Sequence, residues 1–395
     1  MAWSQPNGLL RKDPLWLSQS HQGPKVMPSD ELEIEARRKL PPATYDYFAG
    51  GAETEATLSA NLAAFQNWRF APRVLTGSGA PDPAVSVLGA GISLPVLLAP
   101  TAMQCLAHPQ GEIAVARAAG RAGTIYCLST LATTRLETVV ERAGPGPRWF
   151  QLYPCRDKGL RADLVRRAEQ SQCQALVLTV DTPVSGRRER DGGAGFRLPA
   201  ELRYENLTLG RGHPAPTSEG LAADTKALFD ARFSFADLEQ LVASTRLPVV
   251  VKGVLRADDA ARAVTVGVAG VIVSNHGGRQ LDSAVAALDA LPAVVDAVGS
   301  SVPVLMDGGV RRGTDVLKAI SLGARAVLIG RPYLWALALS GESGVTSLLE
   351  QLREEIVVAM ALLGVASCSQ LGRDLLVQAP PPYRSPGSPP DERKP

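Results

Sequence analysis

From Leu94 onward, a short apolar run followed by an Ala/Leu/Arg-rich stretch at helical spacing recurs about eight times. The runs are Pro95–Ala99, Thr124–Leu128, Arg148–Leu152, Ala175–Val180, Pro248–Val251, Gly270–Val273, Pro303–Met306 and Ala326–Ile329. Repeats of this kind read as strand, loop and helix units. The runs are apolar almost without interruption, as in parallel strands covered on both faces. Two architectures accept such units, a closed (β/α)8 barrel or an open doubly wound sheet. The residues after each run separate them: Ala99-Pro100-Thr101-Ala102, Ser129-Thr130, Gln151-Leu152-Tyr153, Thr179-Val180-Asp181, Lys252-Gly253, Ser274-Asn275-His276, Asp307-Gly308-Gly309 and Gly330-Arg331. Small and polar residues close every unit, and a barrel gathers all eight ends on the face that carries its chemistry. The expected fold class is α/β, a (β/α)8 TIM barrel from about residue 94.

Ahead of the barrel, residues 29 to 68 have helical character, interrupted at Pro41-Pro42 and resuming with Tyr45-Asp46-Tyr47-Phe48, which predicts an N-terminal helical extension. After the fourth strand, the stretch from Pro183 to Phe235 is rich in Gly, Pro and charge and far exceeds an ordinary βα connection, so it is expected to be a mobile lid. Residues 1–28 read as a disordered leader without the apolar core of a secretory signal, and 379–395 as a disordered Pro/Ser-rich tail lacking a Ser-Lys-Leu ending. A single domain over 29–378 is the expected organisation.

Composition narrows the function classes. The 395 residues carry a formal net charge of +2 from 41 basic and 39 acidic side chains, without a basic block, so no nucleic-acid partner is implied. Nothing approaches the roughly 18 continuous apolar residues of a membrane span. The five cysteines are scattered, with neither a C-x-x-C pair nor metal-like spacing, which predicts reduced thiols in a cytoplasmic protein and no metal. A strand-linked G-x-G-x-x-G, a Gly-Lys phosphate loop, H-E-x-x-H and G-x-S-x-G are all missing, which lowers the nicotinamide, nucleotide-hydrolase, zinc-protease and serine-hydrolase readings.

One segment stands out chemically. Ser274-Asn275-His276-Gly277-Gly278-Arg279-Gln280-Leu281-Asp282 leaves a buried run, placing a proton acceptor beside a planar fork suited to a carboxylate. His276 alone among the four histidines directly follows a strand-like run; His21 and His213 lie in Gly/Pro-rich loop sequence, and His108 reads as a turn or cap residue before Pro109. Asp181 is either the orienting carboxylate of His276 or a simple cap. Lys252, at the end of an all-valine strand, needs an anionic partner and suits either a Schiff base or the stabilisation of charge on a reduced cofactor. Glycines and arginines after the last two runs, in Asp307-Gly308-Gly309-Val310-Arg311 and Gly330-Arg331, read as the usual barrel phosphate site, with ordinary tight turns and surface arginines as the alternative.

With these residues in hand, the chain resembles the FMN-dependent L-2-hydroxy-acid oxidases of the glycolate and L-lactate oxidase group, particularly its soluble bacterial L-lactate oxidases. The likeness runs from about Tyr45 to Cys368 and rests on the 274–280 segment, Leu-Thr-Val-Asp-Thr-Pro at 178–183 and Asp-Gly-Gly-Val-Arg-Arg-Gly at 307–313. The resemblance implies that FMN is the cofactor, that His276 takes a proton as the C2 hydrogen passes to the flavin, and that Asp181 stabilises the charged imidazole. It implies a carboxylate held by Arg279, Arg188 and Tyr47, a hydroxyl bonded by Tyr153, and Lys252 beside the flavin N1 and O2. Thr101, Ala102, Ser129, Gln151, Thr179 and Ser274 would hold the ring, and Asp307, Gly309, Arg311, Gly330 and Arg331 the phosphate end. Plant glycolate oxidases carry tryptophan where this chain has Leu131, which favours lactate over glycolate, whereas Thr101 follows the glycolate-type pattern. Expected partners are a small 2-hydroxy acid and dioxygen, giving a 2-oxo acid and hydrogen peroxide, in a homotetramer. Alternatives left open are a dehydrogenase serving a quinone or cytochrome, and an FMN- or phosphate-binding barrel that isomerises or only binds its ligand. The order of proton and hydrogen transfer is open too.

Overall fold

The computed structural model describes residues 29–191, 196–207 and 220–379. The expectations for the 1–28 leader, for His21 and His213, and for the tail beyond 379 lie outside these residues.

Eight parallel strands close on themselves. They are β1 (Val96–Leu98), β2 (Tyr126–Leu128), β3 (Arg148–Leu152), β4 (Ala175–Thr179), β5 (Val249–Val254), β6 (Gly270–Val273), β7 (Val304–Asp307) and β8 (Ala326–Ile329). Each pairs with its neighbours in sequence, and β8 returns to β1 through Leu328↔Leu97. The open sheet is thereby excluded. Helices α1 (Ser29–Lys39), α2 (Pro42–Ala49) and α3 (Ala56–Ala63) precede the barrel. The outer ring is α4 (Gly111–Ala122), α5 (Leu136–Ala143), α6 (Lys158–Gln170), α8 (Phe235–Ser244), α9 (Ala257–Thr265), α10 (Ala287–Val298), α11 (Gly313–Ser321) and α12 (Arg331–Leu363), while α7 (Leu221–Leu228) belongs to the long insertion after β4. The expected break at Pro41-Pro42 falls between α1 and α2, where proline can open a helix but not continue one.

Period-two alternation divides each strand into two faces. Val96, Leu98, Phe150, Leu176, Leu178, Val271, Val273 and Met306 pack outward against the helices. Leu97, Ile125, Cys127, Trp149, Ala175, Val177, Val250, Ile272, Leu305 and Leu328 fill the interior. The same parity carried two residues further gives Ser129, Gln151, Thr179, Lys252, Ser274, Asp307 and Gly330. The interior is thus apolar below and polar at the C-terminal mouth. A hairpin that sequence reading missed, Val85–Val87 with Ala90–Ile92, packs Val87 and Ile92 into the interior cluster and covers its N-terminal end.

β5 outlasts its expected end. Lys252-Gly253 is expected to close the strand, but the ladder continues past a bulge, pairing Lys252 with Ile272 and Val254 with Val273. Gly253 adopts φ +106°, and a Cβ there would lie 2.6 Å from the Asp181 Cβ and Cγ. His108 behaves as a turn residue, its Nδ1 accepting the Gln110 N–H just before α4.

Candidate active site

The strand ends deliver the expected residues to one cleft. The cleft at the C-terminal mouth is lined by residues that include Tyr47, Thr101, Ala102, Leu131, Tyr153, Arg188, Lys252, His276, Arg279, Asp307, Gly309, Arg311, Gly330 and Arg331. Ser129, Gln151, Thr179 and Ser274 lie beneath this lining, fully buried. Ser129 Oγ donates to Gln151 Oε1 at 3.3 Å, and Gln151 Nε2 donates to Thr179 Oγ1 at 3.0 Å.

Asp181 is not a cap. Its Oδ1 sits 2.9 Å from His276 Nδ1, which leaves Nε2 as the second ring nitrogen for another partner. Burial would raise the Asp181 carboxyl, but His276 and Lys252 together draw it below its usual value. His276 holds a left-handed φ of +60°, and its backbone N–H is fixed by Ser274 Oγ at 3.0 Å. A non-glycine residue in this region is uncommon and is held by its surroundings.

Lys252 Nζ lies 3.0 Å from Asp307 Oδ2 and donates to Ser274 Oγ at 2.9 Å. Burial opposes its charge, yet Asp307 and Asp181 raise its pKa, so the ammonium persists at neutral pH. Burial likewise pushes the Tyr153 phenol well up, keeping it a neutral hydroxyl. Arg279 and Arg188 lie over the Tyr47 ring at 5.1 and 5.6 Å from its centroid. The Arg279 Nη1 also donates to Gly50 O at 2.8 Å, joining the His276 loop to the end of α2.

Arg331 is held by backbone carbonyls from the end of α2 and from the His276 loop. It donates to the carbonyls of Phe48, Ala49, Gly50 and Gly277, and burial together with Arg279 and Arg311 pushes its pKa down to about 9. Three guanidinium groups held this close favour a multiply charged anion.

Several contributors escaped sequence reading. Asn61 of α3 exchanges two 2.8 Å side-chain bonds with Asn275. Asp282 accepts from the Thr54, Ala56 and Thr57 backbone and from Thr54 Oγ1, capping α3. Buried Glu112 of α4 accepts from Gln104 N, Thr133 N and both Thr133 and Thr134 hydroxyls, tying together the loops after β1 and β2. Of the expected lid, Val184, Ser185, Arg188, Leu221, Thr225 and Phe229 line the cleft. The residues themselves were visible in sequence, but their distant partners were not.

The FMN-dependent dehydrogenase family matches residues 36–378. The chain belongs to this family. It is 48% identical over 347 residues to an L-lactate oxidase of Nostoc sp., spanning 86% of this chain and 94% of that protein. It is also 48% identical over 350 residues to glycolate oxidase 1 of Zea mays, spanning 88% and 94%. Among solved structures it resembles mandelate oxidase with (S)-4-hydroxymandelic acid, at a TM-score of 0.83 and 44% identity over 89% of this chain and 98% of that one.

Membership brings FMN as cofactor, and the residues present fit it. Asp307 Oδ1 is a buried acceptor without a hydrogen-bond partner, suited to a hydroxyl-bearing ligand. The arginine cluster suits a phosphate. Gly309, at φ +80°, passes so close to α3 that a Cβ would lie 2.1 Å from Asn61 O, and this brings its backbone to the cleft wall. All five cysteines are free, and among the described residues no helix is long and apolar enough to cross a membrane.

Proposed function

We propose that this protein oxidises a small L-2-hydroxy acid to the 2-oxo acid and passes the two electrons and two protons to dioxygen, forming hydrogen peroxide. The reading rests above all on the 2.9 Å His276–Asp181 contact, with Arg279 three residues along the same loop and Lys252 buried behind it. FMN, when bound, supplies the two-electron acceptor for the C2–H bond.

The chain's own groups do the rest. As the base, His276 presents Nε2 to the substrate hydroxyl and takes its proton, while ionised Asp181 steadies the resulting imidazolium. Arg279 and Arg188, flanking Tyr47, hold the carboxylate and orient C2. Tyr153 keeps its proton and bonds the substrate oxygen. Lys252 supplies a fixed positive charge where negative charge grows. Thr101, Ala102, Ser129, Gln151, Thr179 and Ser274 fit the ring end, with Asp307, Gly309, Arg311, Gly330 and Arg331 at the phosphate end. Leu131 offers volume in place of a hydrogen-bond donor, which supports L-lactate ahead of glycolate.

The test is a visible spectrum of the FMN-loaded protein during anaerobic addition of L-lactate. Bleaching of the flavin band, followed on aeration by recovery and stoichiometric hydrogen peroxide, is the expected result. A spectrum unmoved by L-lactate, glycolate and longer 2-hydroxy acids would overturn the reading. Bleached protein that ignores dioxygen and recovers with a quinone would overturn the oxidant.

A further inference from the structure

The far end of the long insertion after β4 returns to the barrel at one defined place. Arg156 N donates to Leu228 O at 2.8 Å and Asp230 N to Pro154 O at 2.7 Å. Arg156 Nε adds a 2.7 Å bond to Phe229 O, and Cys155 and Phe229 pair as an antiparallel bridge. This lacing turns the Phe229 ring onto Tyr153, with centroids 4.2 Å apart and planes 21° apart. The ring is buried and lines the cleft.

The rest of the lining can be divided by chemistry. Glycines and arginines from the ends of β7 and β8 serve the phosphate, while Tyr47, Arg188, Arg279, Tyr153 and His276 serve the acid's carboxylate and hydroxyl. Between the loop after β2 and the insertion after β4, the lining presents three buried apolar side chains, Leu131, Leu221 and Phe229, with Ser185 and Thr225 hydrogen-bonded to each other at 2.5 Å at the edge. Three such side chains exceed what one methyl group can touch.

We infer that Phe229 sets substrate specificity, and that with Leu131 and Leu221 it forms a wall for an unbranched apolar C2 substituent longer than methyl. The inference rests on the hydroxy-acid reading above and names the substrate class within it. Each methylene buried there contributes ~0.8 kcal/mol, about fourfold in kcat/KM.

The experiment compares glycolate, L-lactate, L-2-hydroxybutanoate and L-2-hydroxyhexanoate in wild type, Phe229→Ala and Phe229→Leu. Dissociation constants of the corresponding unreactive 2-oxo acids are read from perturbation of the flavin spectrum. In the wild type, kcat/KM and 2-oxo-acid affinity should both climb from lactate to the six-carbon acid by at least tenfold. Phe229→Ala should flatten that climb, and Phe229→Leu should restore most of it. A wild-type optimum at glycolate or lactate would overturn the inference while leaving the oxidase reading intact. So would a Phe229→Ala variant that lowers every acid by one common factor, as a structural role would. Should Phe229→Ala fail to fold, the wild-type series and Phe229→Leu still decide. Failure of every acid to bleach the flavin removes both proposals together.

Discussion

Burial alone would favour a neutral Asp181, yet its contact with His276 and the nearby Lys252 ammonium keep the carboxylate ionised and therefore able to orient the imidazole. Removing the base tests this arrangement directly. His276→Ala should retain FMN and slow anaerobic flavin reduction by ~10²–10⁴-fold, the usual worth of a positioned base, in stopped-flow measurements. Near-normal reduction would dismiss the residue. Asp282 makes a different prediction, one of stability. Bonds from Thr54 and Thr57 hold its carboxyl well below the ordinary range, so the folded state binds the proton less readily than the unfolded chain. Its contribution is complete above the unfolded value of about 3.9 and is lost as pH falls through the lower folded value. The melting-temperature gap between wild type and Asp282→Asn should therefore be constant from pH 7 to about 5 and narrow below about pH 4. A gap that widens on acidification would reverse the sign.

At the level of elements, Gly253 shows how strand geometry reaches the chemistry. The bulge in β5 removes a side chain where Asp181 packs, and an added methyl group would strike Asp181 Cβ and Cγ at 2.6 Å. Gly253→Ala should keep the barrel, shown by an unchanged far-ultraviolet spectrum, and lower kcat much more than it raises KM. Equal losses in both parameters would point to general disruption instead. The eight strands were legible because each is a near-continuous apolar run, and their polar ends were legible because residues such as Gln151, Thr179 and Asp307 follow the interior parity. The bulge was not legible, since Lys252-Gly253 ends the apolar run and only the ladder to β6 shows that the strand continues. Neither were the Asn61–Asn275 exchange or the Phe229–Tyr153 stack, because both unite residues remote in the chain. Arg279 and His276 were easy to find because only Gly277 and Gly278 separate them in one loop.

Across the whole molecule, apolar packing and polar chemistry occupy successive layers of one interior. Trp149, Ile272 and Leu305 lie in its apolar layer, Gln151, Ser274 and Asp307 lie two residues further along the same strands, and the hairpin carrying Val87 and Ile92 seals the base. Ile92→Ala should therefore lower stability by about 2–5 kcal/mol in denaturant unfolding, the cost of emptying a packed site, while the folded fraction keeps its KM. A raised KM would mean that the base communicates with the mouth. The stopper at the base also sets the direction of approach: among the described residues the apolar layer and the hairpin beneath it fill the N-terminal end, so an acid bound for His276 arrives from the opposite rim.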